Sequence, residues 1–354
     1  MKQLVLLVVL LSLGCSKEQP IKLNDIQVIG SHNSYKIAIE QPLLNYIALK
    51  DSSKAKSLEY EHISIVAQLN LGLRNLELDV FYDPKGGHFS NPKGLDIVKQ
   101  SGETPMPYDE AEQLKQPGFK LFHIQDIDFR SHHLLFKEAL KAMKKWSDNN
   151  PAHLPIIILM NTKDKVIPDL TKPIPFSEKA YQELDAEIFS VFAKEDLIRP
   201  DDVRGNHGTL EEAVLKQGWP KLEDCKGKFL FVLDEKAHKN SLYMNGDNTL
   251  KNRVFFVNSK EGNPESAFRI VNNPITDFEY IKHLVAQGYM VRTRADAGTK
   301  EARTNDYTKF EKAKASGAQV ISTDYYQPSR LFKSTFEVKF EDGTYERIKN
   351  IKNE

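Results

Sequence analysis

Short apolar runs rich in β-branched and aromatic residues recur along the whole chain. They lie at 26–30, 73–80, 119–124, 154–160, 228–233, 253–257, 288–293 and 318–322, eight in all. Helical patterns fall between several of them. In 132–146, Leu135, Ala139, Ala142, Met143 and Trp146 share one face, and 58–71, 178–192, 278–286 and 306–315 show similar spacing. Strands that alternate with helices pair in parallel through crossovers. Eight of them point to a closed barrel, so the expected fold class is α/β, an irregular (β/α)8 TIM barrel. The alternative, an open doubly wound sheet, lacks a Gly-rich phosphate fingerprint after its first strand.

The irregularity is expected in two places. The stretch 81–118 carries Gly86-Gly87, Pro84, Pro92, Pro105, Pro107 and Pro117 and reads as a long excursion over the barrel mouth. Near the end, apolar segments at 336–340 and 345–348 flank Asp342-Gly343, a hairpin signal. The expected organisation is a barrel over 24–333 and a hairpin appendage over 334–354.

The 49 Lys+Arg balance 49 Asp+Glu among 354 residues, so no general electrostatic attraction to nucleic acid is expected. No apolar run is long enough for a polytopic membrane protein. No obligate protein partner is evident. The two cysteines, Cys15 and Cys225, leave little room for a disulfide framework, and Cys225 is expected to be a plain thiol.

The first 15 residues read as a secretory segment: a basic start at Lys2, an apolar stretch over 4–13, then Gly14-Cys15. Residues 11–15, LSLGC, resemble a bacterial lipobox, although Ser12 stands where leucine is usual. That resemblance implies lipidation at Cys15, a tether over 16–23, and a lipid-anchored protein of a bacterial cell envelope. An ordinary cleaved signal is the alternative.

Catalytic groups of such barrels sit at the C-terminal ends of the strands, and polar residues gather there. His32 and Asn33 follow the first run, Glu77 and Asp79 lie in the second, and His123 ends the third. Asn161 and Lys163 end the fourth, Arg292 and Arg294 the seventh, and Asp324 follows the eighth. Glu77 and Asp79 are two apart on a strand and share a face. Two carboxylates there need compensation, either by a hard cation such as Ca²⁺, with Asn33 adding an oxygen, or by arginines such as Arg74 or Arg292. His32 and His123 suit acid–base work near neutrality. Lys163, Arg292 and Arg294 suit an anionic substrate, or ion pairing with Asp164, Asp296 or Asp324.

As a set, GSHNSY (30–35), LGLRNLELDV (71–80), FHIQDIDFRS (122–131), KKWSDNNPAHLPIIILMNTKD (144–164), GYMVRTRADA (288–297) and SGAQVISTDYY (316–326) resemble the calcium-dependent, phosphatidylinositol-specific phospholipase C-like phosphodiesterases. The resemblance implies His32 as base and His123 as acid. It implies Asn33, Glu77, Asp79 and Asn161 as ligands of one calcium ion, and Lys163, Arg292, Arg294 and Asp324 as substrate contacts. Asn161 stands where that superfamily often has glutamate, so the implied metal site lacks one charge. The implied substrate is a phospholipid or a water-soluble phosphodiester. A glycerophosphodiester phosphodiesterase is the nearest rival; a non-catalytic headgroup- or glycan-binding lipoprotein is a distant one.

Overall fold

The computed structural model describes residues 20–349. Cys15, the secretory segment and the first part of the tether lie outside the described residues. Among the described residues ten strands follow in chain order: β1 Ile26–Ser31, β2 Asn75–Asp83, β3 Gly118–Leu121, β4 Ile156–Thr162, β5 Phe229–Leu233, β6 Phe255–Val257, β7 Phe268–Ile270, β8 Met290–Arg294, β9 Val320–Thr323 and β10 Glu346–Ile348. Eight are parallel, in the order β6-β5-β4-β2-β1-β9-β8-β7. A parallel bridge between Asn258 and Phe268 nearly closes the ring between β6 and β7. The fold is the expected irregular barrel.

One expected barrel strand is not part of the ring. The run at 119–124 supplies β3, which lies antiparallel to the end of β2, from Val80 opposite Leu121 to Asp83 opposite Gly118. β2 is nine residues long and outruns its neighbours. The returning chain covers its free edge, and Phe81 stacks on Phe122 with ring centroids 4.3 Å apart. The eighth place in the ring belongs to β7, three residues long. His123 therefore approaches the mouth from a hairpin leaning over it, not from a strand of the wall.

The C-terminal segment also differs from expectation. The turn at Asp342-Gly343 forms, with Gly343 N–H donating to the Phe340 carbonyl at 2.9 Å. Its flanks then separate instead of forming a hairpin ladder. Phe336, Val338 and Phe340 are buried, while β10 runs antiparallel to β1, pairing Ile26 with Ile348 and Val28 with Glu346. β2 meets β1 only at Gly30 and Asn75, so β10 satisfies backbone groups that β2 leaves open. Gly30 permits this crossing: a Cβ there would lie 2.1 Å from the Asn75 carbonyl oxygen.

Of the helix expected over 58–71 only Ile65–Leu71 forms, capped by Ser64 through Ala67 N–H at 3.3 Å; a separate helix, Ser52–Leu58, ends where the expected one would begin. The break carries Tyr60 and His62 beneath the mouth. Elsewhere the helical faces bury as their spacing implies; Phe136–Asp148 packs Phe136, Ala139, Leu140, Met143 and Trp146 inward. Cys225 is a buried free thiol, its pKa pushed by burial up to about 11. Among the described residues no helix is long and apolar enough to cross a membrane.

Candidate active site

Strand register decides which side chains enter the barrel. Asp79 pairs with Asn161, Leu159 with Val232, and Val232 with Phe256. Gly30 pairs with Ser322, and Arg292 with Val320 and Ile270. With alternation along each strand, His32, Glu77, Asp79, Asn161, Asp234, Asn258, Asn272, Arg292 and Arg294 share the interior face. Most of them line one cavity of about 650 Å³.

His32 follows β1 in a turn made tight by Asn33, whose φ of 49° asparagine tolerates better than most residues. Ser34 fastens this turn to β2: its N–H donates to the Glu77 carbonyl at 2.9 Å, and its hydroxyl accepts from Glu77 N–H at 2.8 Å. His32 Nδ1 lies 2.8 Å from Asp324 Oδ1, and Nε2 lies 3.5 Å from Glu77 Oε1. Burial, followed by Arg294, holds the His32 pKa well below its ordinary value, so the ring is neutral at pH 7. Tyr60 stacks beneath it at 6.0 Å, and His62 Nε2–H donates to the His32 carbonyl at 2.7 Å.

His123 has a matching arrangement. The chain doubles back over 124–128, with Asp126 at φ 68°, and returns Asp128 to the ring. His123 Nδ1 is 2.6 Å from Asp128 Oδ2, while Asp128 Oδ1 takes Lys36 Nζ at 2.5 Å. Burial works against ionisation of Asp128, but Lys36 and His123 outweigh it and hold its pKa below the ordinary value. Each histidine thus has a buried carboxylate on Nδ1, leaving Nε2 for other chemistry. His123 is close enough for its charge to bear on His32 and Asp324.

The carboxylates inside the barrel meet cations. Arg292 reaches Glu77 Oε2 at 2.6 Å, and Lys163 reaches Asp79 Oδ2 at 3.0 Å. Burial disfavours the charge of Lys163, but Asp79 and then Glu77 outweigh it and raise its pKa. Asn161 Nδ2 donates to Glu77 Oε1 at 3.3 Å. Asp324 is not turned toward the cavity. Its side chain is 1% exposed, behind His32 and 3.7 Å from Arg294. Beyond it, Asp296 accepts from the Asp324 N–H, and burial, followed by Asp324, pushes its pKa up to about 7.

The chain matches the family of Ca²⁺-dependent phosphoinositide phospholipases C over residues 21–350. It belongs to that family. Two solved structures share the fold. One is the calcium-dependent phosphoinositol-specific phospholipase C of a Pseudomonas species, 17% identical, covering 93% of this chain and 96% of its own, with a TM-score of 0.55. The other is the Ca²⁺-dependent phosphatidylinositol-specific phospholipase C of Streptomyces antibioticus, 17% identical, covering 90% and 99%, with a TM-score of 0.55. No curated protein matches the chain.

As a calcium-dependent phospholipase C, the chain needs oxygen ligands at the mouth. Among the described residues no three His, Cys, Asp or Glu side chains are placed so that they could hold a metal ion by themselves. The donor chemistry nevertheless fits. Glu77 and Asp79 are carboxylates on one face, each held by a protein cation, and Asn161 adjoins both. Asn33 Oδ1 accepts from Tyr35 O–H at 3.2 Å, and Asn33 Nδ2 donates to Tyr60 at 2.6 Å. Such hard oxygen donors suit Ca²⁺.

Sequence reasoning missed Asp128, Lys36, Tyr60 and His62, which support the two histidines, and Asp234, Asn258 and Asn272, which enter the cavity. The last three carried a legible signal. Each is a polar residue two positions beyond the last inward-facing residue of β5, β6 or β7. Of the other histidines, His62 supports the site and His238 lines the cavity edge.

Proposed function

We propose that this phospholipase C cleaves phosphatidylinositol by attack of a headgroup hydroxyl on its own phosphodiester, with His32 as base and His123 as acid. The observation that carries this reading is the pair of imidazoles, each with a buried carboxylate on Nδ1, at one oxygen-rich mouth. Asp324 accepts the Nδ1 proton of neutral His32, so Nε2 is free to take the proton of the attacking hydroxyl. Asp128 stabilises positive charge on His123, whose Nε2 proton then goes to the departing diacylglycerol oxygen. Lys163 and Arg294 offer positive charge to the phosphoryl oxygens. Arg292 is held by Glu77 and by Asn272 and adds to the same field. Oxygens of Asn33, Glu77, Asp79 and Asn161 would hold calcium, which when bound stabilises phosphoryl charge and acidifies a neighbouring hydroxyl.

We also propose that lipid on Cys15 carries the enzyme on a bacterial envelope membrane. The lipobox-like LSLGC string supports this, and such an anchor would keep the barrel close to phospholipid. Mass spectrometry of the mature protein tests it: a diacylglyceryl cysteine as first residue is expected, and an unmodified start beyond Cys15 would refute it.

The headgroup is tested with phosphatidylinositol, phosphatidylcholine, glycerophosphoinositol and glycerophosphocholine, each with calcium and with chelator. Calcium-dependent release of diacylglycerol from phosphatidylinositol alone is the expected result. Turnover of both glycerophosphodiesters without phosphatidylinositol cleavage would replace this reading with a glycerophosphodiester phosphodiesterase.

A further inference from the structure

The carboxylates around the mouth are paired, with one exception. Glu77 meets Arg292, Asp79 meets Lys163, and Asp324 meets His32 and Arg294. Glu235 and Asp164 share Lys239. Asp234 lines the cavity, yet among the described residues its carboxylate has no ion-pair or hydrogen-bond partner. Only its backbone is engaged, N–H donating to the Met160 carbonyl at 2.8 Å. Arg292 and Arg294 act on it only through space, and a carboxylate turned into a cavity with no direct partner marks a place where something else completes it.

Its position says what. Asp79 pairs with Asn161 across β2 and β4. Met160 pairs with Leu233 across β4 and β5, and the Asp234 N–H bond continues that ladder by one residue. Asp79, Asn161 and Asp234 therefore occupy one rung of three adjacent strands and point to the same side. Neighbouring strands are ~4.8 Å apart, a spacing at which oxygens of adjacent short side chains can meet on one ion with bonds of ~2.3–2.6 Å. Asn161, the middle member, brings an oxygen without charge.

We propose that Asp234 is a calcium ligand of this chain, supplying from β5 the negative charge that Asn161 does not supply on β4. This rests on the calcium-dependent reading above but not on which lipid is cleaved. It predicts that the charge can be moved back across one strand without loss of affinity.

The test is calorimetric titration of the full chain with calcium chloride, without substrate. Asp234→Asn should weaken calcium binding at least ~10-fold, with its melting temperature in chelator unchanged. Asn161→Asp in the Asp234→Asn background should recover most of the affinity. Asp234→Ser is the second variant should the asparagine fold poorly. Wild-type affinity in Asp234→Asn would overturn the proposal. If the KM for phosphatidylinositol then rises instead, the carboxylate serves headgroup hydroxyls. A wild-type chain that binds no calcium would overturn the proposal and the calcium part of the functional reading together.

Discussion

Asp128→Asn should do two separable things. Lys36 and Asp128 are both fully shielded from solvent, 0% exposed each, with Nζ and Oδ1 2.5 Å apart. Removing the carboxylate charge leaves the Lys36 ammonium buried beside the Tyr60 ring. Breaking one side of a buried pair typically costs ~3–5 kcal/mol, whereas replacing both partners by apolar groups is often neutral. Urea unfolding should therefore show a loss of ~3–5 kcal/mol for Asp128→Asn and recovery of most of it in Asp128→Asn with Lys36→Met. Activity should behave differently. Both variants lack the charge that stabilises His123 as an acid, so both should lose ~10²–10⁴ in kcat, the usual worth of a general acid. The wild-type advantage has a pH signature. The pKa of Asp128 is depressed in the fold, so the stability it adds is present above the ordinary carboxylate range and lost as pH falls below it. A single variant as stable as wild type would refute the buried-pair reasoning. A double variant with wild-type kcat would show that His123 does not depend on Asp128.

Three further outcomes follow from the packing. His62 is buried, with a pKa lowered to about 4, chiefly by burial. A depressed histidine loses stability as pH falls from its unfolded value of ~6.5 toward 4, by up to ~3 kcal/mol, and His62→Gln should flatten that part of a stability–pH curve. Ending the chain after Thr344 removes β10 and leaves the buried Arg74 without Glu346, its partner at 2.7 Å; thermal unfolding should show a loss of ~3 kcal/mol or more, and an unchanged melting temperature would deny β10 a structural role. Asp79→Asn should weaken calcium binding, so its activity at low calcium should fall and partly return at high calcium, read as a shifted calcium activation curve.

The barrel was legible because alternating apolar runs and helical faces leave few other solutions. Seven of the eight ring strands coincide with runs seen in the sequence. The two errors in the ring have different causes. An apolar run reports burial and not direction, so 119–124 read like a wall strand although it turns back on β2. β7 has only three residues, Phe268–Ile270, too few to show a period, and Arg269 interrupts it. The hairpin expected at the end failed because its turn is local, whereas the choice of partner for β10 is not: the open edge of β1 lies more than 300 residues away in sequence. At the site, His32, Glu77, Asp79, Asn161, Arg292 and Arg294 were legible as polar residues at or near the ends of successive apolar runs, with strand parity putting Glu77 and Asp79 on one face. Asp324 was noticed, but its place behind His32 depends on Arg294 and Asp296 converging on it, which spacing does not report. Lys36 and Asp128 were invisible for the same reason: 92 residues separate two charges that only the folded turn brings together.

The division of labour between the two histidines is tested most directly by leaving-group dependence. Rates of wild type, His32→Ala and His123→Ala would be compared on phosphatidylinositol and on an inositol phosphodiester with an aryl leaving group, at saturating calcium. An aryl oxide departs without a proton, so His123→Ala should regain much of its lost rate on the aryl ester while His32→Ala stays slow on both. Equal rescue of both variants, or rescue of His32→Ala alone, would contradict the assignment of base and acid.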